Sequence, residues 1–433
     1  MKISLSSSTK KTLILICVVY LIAYSTLHWI MSLLYRLNEP PKGIYDPQYE
    51  MVVEAFRKNF EGGFEREGAH LSVYHNGRQV VNVWNGFADS QSQRKWNSRT
   101  KSVFFSATKA ISSLCIAMLV DRGRLSYDDL VIKYWPEYGQ YGKENTTIED
   151  VLTHKAGIPY LEDITMDDVH HNEIMMQKIE RAKPLWKPGT LSGYHAITFG
   201  WLVDGIVRKA DVKHRDVKTF FREEVSEKYG IDISIGLPRD EFANLARSTQ
   251  PGLVEYARDT VADPRMLAML ALMYLRMPNS IAAKLRMNPS WIPLNYDTVA
   301  LNDPDIVSLN MGAVTGVGNA ENFARLFALA LDGTLISNET LQLISRPTVN
   351  TWYLEQVILY PFVKGRGFYF ESHPLFKGEY LMGHPGYGCQ SLNVDVKRRL
   401  VIAYLSNGLK TATGEMCRPY QQILHSVFKV ITN

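Results

Sequence analysis

The feature that most constrains this chain is an uncharged apolar segment near its N-terminus. Residues 12–35, TLILICVVYLIAYSTLHWIMSLLY, contain no Asp, Glu, Lys or Arg. As a helix the segment would extend about 36 Å at 1.5 Å per residue, which is enough to cross a bilayer core of about 30 Å. It is too long for the apolar region of a cleaved signal peptide and lacks a clear small-x-small cleavage site. The pattern therefore favours a retained transmembrane signal anchor, with His28 as its one polar ring.

The charges around this segment indicate its orientation. The flanking basic residues are Lys2, Lys10 and Lys11 on one side and Arg36 and Lys42 on the other. The positive-inside bias favours a short cytosolic N-terminus at residues 1–11. Residues 36–50, which contain Pro40-Pro41, are predicted to be a linker, and residues 51–430 a single domain. That domain would be lumenal or extracellular, with a mitochondrial membrane as the less favoured location.

Two other features are compatible with that side of the membrane. Asn145-Thr146-Thr147 and Asn338-Glu339-Thr340 are acceptor sequons, so Asn145 and Asn338 are candidate glycosylation sites. Such triplets also arise by chance. Cys389 and Cys417 could form a disulfide, but the sequence alone does not show whether they pair.

The composition excludes several classes of protein. With 46% hydrophobic and 21% charged residues the chain is neither disordered nor collagen-like, and 4 Cys in 433 residues do not make a disulfide-rich scaffold. The net charge is +4, and most of that excess lies before Pro41. The nearly neutral remainder gives no electrostatic footprint for nucleic acid, so no nucleic-acid partner is expected.

The pattern along the body predicts one sheet built from both ends of the chain. Residues 71–86 read as a hairpin around Asn76-Gly77, and residues 107–120 as a buried helix. Residues 380–382, 390–396 and 400–405 read as consecutive strands, followed by an amphipathic helix. The middle, about residues 126–309, is mainly helical in pattern, and its apolar stretch Met266–Tyr274 is too short for a second membrane span. We therefore predict an antiparallel sheet flanked by helices, with a mainly helical region inserted.

Several catalytic motifs are absent. The sequence has no H-E-x-x-H, no Walker A loop, no G-x-S-x-G elbow and no C-x-x-C. The His170-His171 pair has no third ligand at a defined spacing, and a solvated surface pair is the preferred interpretation. Neither a metal nor another cofactor is predicted.

The positive candidate is Ser106-Ala107-Thr108-Lys109, on the opening turn of the predicted buried helix. Residues three apart on a helix share a face, so the Lys109 amine can reach the Ser106 hydroxyl and, if neutral, accept its proton. A lysine ordinarily titrates near 10.4, so this role requires a buried, partly apolar site. The same spacing begins at Ser7, Ser92, Ser98 and Ser426. None of those four opens a buried helix after an apolar run, so context selects Ser106.

Five ordered blocks between about Gly62 and Gly408 carry a resemblance to a known family. They are FFSATKA, DRGRLSYDDLVIKYWPEY, TIEDVLTHKAGIP, PGTLSGYHAITFGWLV and GHPGYG. Together they resemble the serine β-lactamase-like superfamily, which contains class C β-lactamases, penicillin-binding D-alanyl-D-alanine carboxypeptidases and β-lactamase-like carboxylesterases. The resemblance implies a β-lactamase/transpeptidase-like α/β (α+β) fold, here in an animal-type membrane-anchored member.

The resemblance also implies roles for individual residues. Ser106 would be the acylated nucleophile and Lys109 its proton acceptor. Tyr194 of Tyr194-His195-Ala196 would move the proton between the nucleophile and the leaving group. Ala196 departs from the Asn or Ser of the family pattern and removes the amide that contacts the lactam side chain, which argues against efficient antibiotic hydrolysis.

The third motif of the family, Lys-Thr-Gly, corresponds here to His384-Pro385-Gly386. His384 would donate a hydrogen bond and be partly charged near neutrality, steadying the substrate carbonyl or the Tyr194 hydroxyl. By analogy the backbone N–H groups of Ser106 and Tyr387 would form the oxyanion hole. Gly386 and Ala196 are candidates for the substrate pocket.

These residues predict a membrane-anchored serine hydrolase acting through an acyl-enzyme on a small ester, lipid-like or peptide substrate, most simply as an esterase. A serine peptidase or amidase is the alternative within the enzymes. A non-catalytic scaffold that keeps the fold is the alternative of another class. In that case Ser106 is a helix cap, Tyr194 a packed aromatic residue and His384 a loop histidine. The substrate and the oligomeric state are left open by the sequence.

Overall fold

The fold is described from a computed structural model. The structure describes residues 7–263, 265–266, 281–292, 299–349, 355–358 and 362–432. The predicted helix at Met266–Tyr274 lies almost entirely outside these residues.

Twelve strands are found in the described part of the chain. They are β1 (Lys42–Tyr45), β2 (Gly68–His75), β3 (Arg78–Asp89), β4 (Arg94–Lys95), β5 (Ser102–Val103), β6 (Ile233–Ile235), β7 (Gly316–Gly318), β8 (Val363–Gly365), β9 (Phe368–Ser372), β10 (Tyr380–Gly383), β11 (Ser391–Asp395) and β12 (Leu400–Ser406).

The helices flank and connect these strands. They are α1 (Ser7–Tyr35), α2 (Glu50–Glu61), α3 (Thr108–Asp121), α4 (Ile148–Leu152), α5 (Met166–His170), α6 (Asn172–Arg181), α7 (Thr198–Ala210), α8 (Val217–Phe221), α9 (Glu227–Tyr229), α10 (Leu253–Ala262), α11 (Ile281–Met287), α12 (Pro304–Val307), α13 (Ala320–Leu331), α14 (Asn338–Ile344) and α15 (Arg418–Thr432). Short 3-10 turns include Phe105–Ala107, directly before α3.

The main sheet joins the two ends of the chain, as predicted. Its strand order is β1-β3-β2-β12-β11-β10-β9-β8, with β4 paired to β3, and all of these pairs are antiparallel. The N-terminal hairpin is present, with its turn at Asn76 (φ 52°) and Gly77 (φ 76°). In the centre, Val73 of β2 pairs with Ile402 of β12. The predicted C-terminal strands and the final helix are also confirmed.

The central strand β12 is buried on both faces. Val401, Ala403 and Leu405 belong to the hydrophobic core beneath α3 and α13, whereas Leu400, Ile402 and Tyr404 belong to the core beneath α2 and α15. Because successive strand residues point to opposite faces, this uninterrupted apolar run fits a strand covered by helices on both sides.

The segment predicted as a linker, residues 36–50, contains a short strand. Residues 42–45 form the edge strand β1, which pairs with β3 from Lys42↔Trp84 to Tyr45↔Val81. The edge of β3 offers free backbone groups, and a four-residue segment after Pro41 satisfies them. The short strand carries no apolar alternation long enough to be recognised in the sequence.

The N-terminal helix α1 covers the predicted membrane segment. Within the described residues it is the one helix long and apolar enough to cross a membrane, by length and composition, over Ile14–Tyr35. Its C-terminal half packs against the body, since Met31 is fully buried and the His28 ring lies 5.3 Å from that of Phe64. The preceding turns, such as Val19, are exposed.

The region between α3 and β7 is mainly helical, as predicted, with one exception. Strand β6 joins β5 and β7 in a separate three-stranded antiparallel sheet, in the order β5-β7-β6. This small sheet leads directly into the helix that carries the candidate nucleophile.

Cys389 and Cys417, whose pairing the sequence left open, form a disulfide. The bond connects the loop after β10 to the start of α15. Asn145 and Asn338, the candidate glycosylation sites, are both exposed. Their modification stays a prediction.

Candidate active site

Ser106 lies at a sharp turn between β5 and α3. It belongs to the 3-10 turn Phe105–Ala107, and the residue before it, Phe105, has φ 48°. A positive φ is unfavourable for an aromatic residue, and such strain concentrates at functional sites. The turn leaves Ser106 partly exposed at the first turn of a helix that is otherwise buried.

Side-chain hydrogen bonds fix α3 in place beneath Ser106. The Gly316 N–H donates to Thr108 Oγ1 over 2.9 Å, and Ser112 Oγ donates to the Gly312 carbonyl over 2.6 Å. A Cβ at Gly316 would lie 2.6 Å from Thr108 Oγ1, so the close approach requires glycine. Gly312 and Gly316 therefore support the helix that follows the nucleophile.

Lys109 is fully buried behind Ser106. Its Nζ lies 3.5 Å from Ser106 Oγ and donates to the carbonyls of Ala196 (2.7 Å) and Ala313 (3.1 Å). Burial lowers the pKa of Lys109 well below its ordinary value, and no carboxylate of the described residues compensates its charge. A neutral amine has two N–H donors and one lone pair. With both donors engaged by carbonyls, the lone pair is available to Ser106.

Tyr194 completes the arrangement around the serine. Its hydroxyl donates to Ser106 Oγ over 2.7 Å, and Lys109 Nζ lies 4.9 Å from the centroid of its ring. Burial raises the pKa of Tyr194, so the phenol is protonated at neutral pH. The structure therefore brings together three of the four residues predicted as catalytic in one hydrogen-bonding cluster.

His384 is close to this cluster but differs from its predicted state. Its ring stacks on Tyr369, with centroids 4.5 Å apart, and its centroid lies 6.5 Å from that of Tyr194. Nδ1 lies 2.8 Å from the Pro385 carbonyl, and a carbonyl accepts, so Nδ1 carries the proton. Burial lowers the pKa of His384 to about 3. The expectation of a partly charged donor is wrong: the ring is neutral, and the donor is used within the loop.

The loop after β10 approaches the nucleophile turn closely. A Cβ at Gly386 would lie 2.4 Å from the Phe104 carbonyl oxygen and 3.2 Å from the Ala107 nitrogen, which explains the glycine. The Tyr387 ring lies 5.7 Å from the Phe105 ring. This brings the backbone of Tyr387, predicted to share the oxyanion hole with Ser106, beside the turn that carries the serine.

Ala196 contributes through its backbone. Its carbonyl accepts from Lys109, while its methyl side chain is buried. The preceding His195 is fixed in one tautomer, because its Nε2 accepts from the Ile158 N–H (3.0 Å) and its Nδ1 lies 2.6 Å from the Gly193 carbonyl. These bonds hold the segment that carries Tyr194.

Sequence reasoning missed a second buried lysine beside the site. Lys364 Nζ donates to Ser192 Oγ over 2.6 Å, and Ser192 Oγ donates to the Thr153 carbonyl over 3.0 Å. Burial lowers the pKa of Lys364 to about 8, although the neighbouring Glu355 opposes the shift. The buried carboxylate of Glu355 accepts from the Tyr194 backbone N–H. One weak signal existed in the sequence: Lys364 interrupts an apolar strand pattern.

Aromatic rings form the wall next to His384. The Phe362 and Tyr369 rings stack at 4.8 Å, and His154 lies 4.9 Å from the Tyr194 ring. His154 is buried, and burial together with the nearby Lys364 lowers its pKa well below the ordinary value. Within the described ranges, no group of three or more His, Cys, Asp or Glu residues is arranged to hold a metal ion.

A serine and a lysine one helical turn apart, with a tyrosine hydroxyl on the serine, define a class of protein. It is the class of serine hydrolases that use lysine and tyrosine, in place of histidine and aspartate, to move the proton of the nucleophile.

Comparisons with known proteins agree with this class. The family described as Beta-lactamase matches residues 56–425. Esterase/beta-lactamase LipL of Mycobacterium tuberculosis (strain ATCC 25618 / H37Rv) is 32% identical over 311 residues, covering 71% of this chain and 68% of LipL. The chain belongs to the β-lactamase family and is a serine hydrolase of that family.

Solved structures give the same fold. A family VIII carboxylesterase superposes with a TM-score of 0.76 and 25% identity, over 90% of this chain and 99% of that one. A penicillin-binding protein homolog from Caulobacter crescentus superposes with a TM-score of 0.74 and 26% identity, over 90% of this chain and 100% of that one. The predicted β-lactamase/transpeptidase-like fold is confirmed.

Proposed function

We propose that this protein hydrolyses carboxylic esters through an acyl-enzyme on Ser106. The observation that carries the proposal is the cluster in which Ser106 Oγ lies 2.7 Å from the Tyr194 hydroxyl and 3.5 Å from a fully buried Lys109 amine. A scaffold that had lost catalysis would have no need to keep an uncompensated amine buried against a serine, because burying a lysine without a carboxylate is costly.

Acylation begins when Ser106 Oγ attacks the ester carbonyl carbon and its proton moves to neutral Lys109. The tetrahedral oxygen is stabilised by the backbone N–H groups of Ser106 and Tyr387. The C–O bond to the alcohol then breaks, and the alcohol oxygen receives a proton from Tyr194. Lys109, which took the proton of Ser106, then passes that proton to the Tyr194 oxygen and restores the phenol. The net products are the free alcohol and an acyl ester on Ser106.

Deacylation repeats these steps with water as the nucleophile. A water molecule loses a proton to the Tyr194 and Lys109 pair as it attacks the acyl carbon. The proton returns to Ser106 Oγ as the acyl bond breaks, which releases a carboxylic acid and restores the enzyme.

Three observations favour an ester over a lactam antibiotic. Ala196 supplies no side-chain amide, since its buried group is a methyl. One structural neighbour is a family VIII carboxylesterase, and the name of LipL includes esterase beside beta-lactamase. The absence of a charged group at His384 also removes the cation that would pair with a lactam carboxylate.

The test is a substrate panel on purified protein: 4-nitrophenyl butyrate, nitrocefin and a D-alanyl-D-alanine peptide. We expect the ester to be turned over with the highest kcat/KM, and Ser106→Ala to abolish its turnover. Preference for the peptide would favour the peptidase alternative. The absence of turnover on all three substrates, with no labelling of Ser106 by a fluorophosphonate, would favour the scaffold.

We also propose that α1 anchors the protein with its catalytic domain on the lumenal or extracellular side. The apolar segment Ile14–Tyr35 supports the anchor, and the Cys389–Cys417 disulfide supports an oxidising compartment. Exposed sequons at Asn145 and Asn338 are available for glycosylation there. Carbonate extraction tests the anchor, and protection from added protease in sealed microsomes tests the side. Release by carbonate or digestion of the domain would contradict the respective assignment.

A further inference from the structure

The ring of His384 presents an unused hydrogen-bond acceptor inside the site. Its Nδ1–H donates to the Pro385 carbonyl over 2.8 Å, so Nε2 has only a lone pair to offer. Nε2 is buried, His384 is 1% exposed, and within the described residues Nε2 has no hydrogen-bond partner. A buried polar atom without a partner is costly, so it marks a position where a ligand group is expected.

The orientation of the ring is set by its surroundings. His384 is stacked on Tyr369 at 4.5 Å with an interplanar angle of 20°, and Tyr369 is stacked in turn on Phe362. Turning the ring over would place Cδ2 at the Pro385 carbonyl and lose the hydrogen bond of Nδ1. The acceptor is therefore held in place before any substrate binds.

Among the residues that the structure describes, the groups facing His384 provide no free cation. Burial lowers the pKa of Lys109 well below its ordinary value, and its amine donates to two carbonyls. Lys364 is buried, donates to Ser192 and has Glu355 as its electrostatic partner. The buried His154 is also held neutral by its surroundings. An anionic substituent next to His384 would therefore face a lone pair with no charge to offset its loss of water.

We infer that the His384 position selects substrates that carry a neutral hydrogen-bond donor, such as a hydroxyl or an amide N–H, and rejects those that carry a carboxylate there. The inference rests on the proposed ester hydrolysis and names the substrate class of the same site. The donor of the substrate pairs with Nε2, while the rings of Tyr369 and Phe362 lie on the far side of the imidazole. The physiological substrate would then be a neutral hydroxy- or amido-substituted ester.

The experiment compares three esters whose end groups have nearly the same shape. They are 4-nitrophenyl succinamate, levulinate and hydrogen succinate, which end in a carboxamide, a methyl ketone and a carboxylate. The same three end groups are also placed on the alcohol side of butyrate esters. Spontaneous hydrolysis, measured with Ser106→Ala, is subtracted. In at least one series we expect the carboxamide to exceed the ketone in kcat/KM by about 3- to 10-fold, the value of one hydrogen bond. We expect the carboxylate to fall below the ketone by about 100-fold or more.

The matched variant is His384→Phe, which keeps a stacked ring but has no ring nitrogen. Dividing the wild-type ratio by the variant ratio removes differences in the intrinsic reactivity of the three esters. We expect the carboxamide to ketone ratio to fall to about 1 in this variant, since no acceptor remains. A second variant, His384→Gln, carries an acceptor oxygen and is expected to retain part of the preference. It decides the question if the phenylalanine variant does not fold.

The outcomes separate this inference from the proposed function. Turnover of all three esters with equal ratios in wild type and variants, in both series, overturns the inference and leaves the esterase function standing. A carboxylate preferred over the ketone overturns it as well. Failure to hydrolyse any of these esters or 4-nitrophenyl butyrate, with Ser106 unlabelled, overturns the proposed function and the inference with it.

Discussion

The protonation of each buried lysine in this protein depends on the groups that surround its amine. Lys101, Lys109 and Lys364 are all buried. Burial lowers the pKa of Lys101, but hydrogen bonds to Asp232 and Glu241 outweigh it and raise the pKa overall. Lys109 is hydrogen-bonded to carbonyls rather than to a carboxylate, so its pKa falls. Identical side chains thus become a structural cation in one place and a candidate base in another.

This difference predicts the effect of removing each amine. Lys109→Met should lower kcat for 4-nitrophenyl butyrate by about 100- to 10,000-fold, the usual contribution of a general base. Lys101→Met, a matched control away from the serine, should leave kcat within about twofold and act on stability instead. In the wild type, kcat/KM should fall as the pH is lowered through the depressed pKa of Lys109, since the protonated amine cannot accept a proton. Steady-state rates between pH 5 and 9 measure both effects. Equal losses in the two variants would contradict the assignment.

Neutral buried histidines predict how stability responds to acid. Burial lowers the pKa values of His195 and His384 to about 3, against 6.5 for an exposed histidine. Between those values the unfolded chain binds more protons, so stability is fully present above pH 6.5 and is lost as the pH falls toward 3. Within that window, each histidine lowers the free energy of unfolding by about 1.4 kcal/mol for each unit that the pH falls. Urea unfolding at pH 6, 5 and 4 should show a shallower dependence in His384→Phe by about that amount. An unchanged slope would mean that His384 is charged in the folded protein.

Two contacts hold the loop that follows β10 in place. The loop from His384 to Gln390 is tied to α15 by the Cys389–Cys417 disulfide, and Gly386 touches the backbone before Ser106. The loop thereby carries both the histidine and the backbone of the predicted oxyanion hole. Its position depends on an element that is formed by the last residues of the chain.

We expect removal of the disulfide to lower both the stability of the protein and its catalytic rate. Cys389→Ala combined with Cys417→Ala should lower the free energy of unfolding by about 2 to 4 kcal/mol, because the unfolded chain is no longer closed into a loop. It should also lower kcat more than it raises KM, since Tyr387 lies two residues from Cys389. Thermal unfolding and steady-state kinetics check the two parts. Cys115→Ala, which removes a buried cysteine that is not in a disulfide, is the control for the loss of a thiol. An unchanged kcat in the double variant would show that the disulfide does not position the active-site loop.

The close approach at Gly386 predicts a second effect on this loop. A methyl group there would meet the Phe104 carbonyl at 2.4 Å, so Gly386→Ala must push the loop away from Ser106. We expect kcat/KM to fall by about 100-fold or more, the loss seen when one oxyanion donor is removed. Gly252→Ala is the matched control, because its nearest atom would be 4.0 Å away. A similar small effect in both variants would show that the loop tolerates displacement.

At the scale of the whole molecule, local sequence patterns predicted the main strands of the large sheet but not its edge strand β1 or the small second sheet. The Asn76-Gly77 hairpin, the alternating strand β11 and the apolar strand β12 are encoded in neighbouring residues, so the sequence predicted them. Strand β1 and the small β5-β7-β6 sheet have two to four residues per strand and are defined by distant partners. Such short segments carry no periodicity of their own.

In the active site too, the sequence predicted the residues of local motifs but not the contacts between distant residues. Ser106 and Lys109 are three apart, and the order of the motifs located Tyr194 and His384. Glu355 contacts the Tyr194 backbone across 161 residues, and Lys364 contacts Ser192 across 172 residues. The tautomer of His384 depends on a hydrogen bond within a folded loop. Contacts of this kind form only when the chain folds, so no local pattern in the sequence indicates them.

The central claim is that Ser106 becomes acylated, and intact-protein mass spectrometry tests it directly. The wild-type protein, mixed with a slow ester and quenched in acid, should gain the mass of one acyl group, and peptide mapping should assign that mass to Ser106. Ser106→Ala should gain none under the same conditions. An acyl group mapped to another residue, or turnover of the ester in Ser106→Ala at the wild-type rate, would contradict the account.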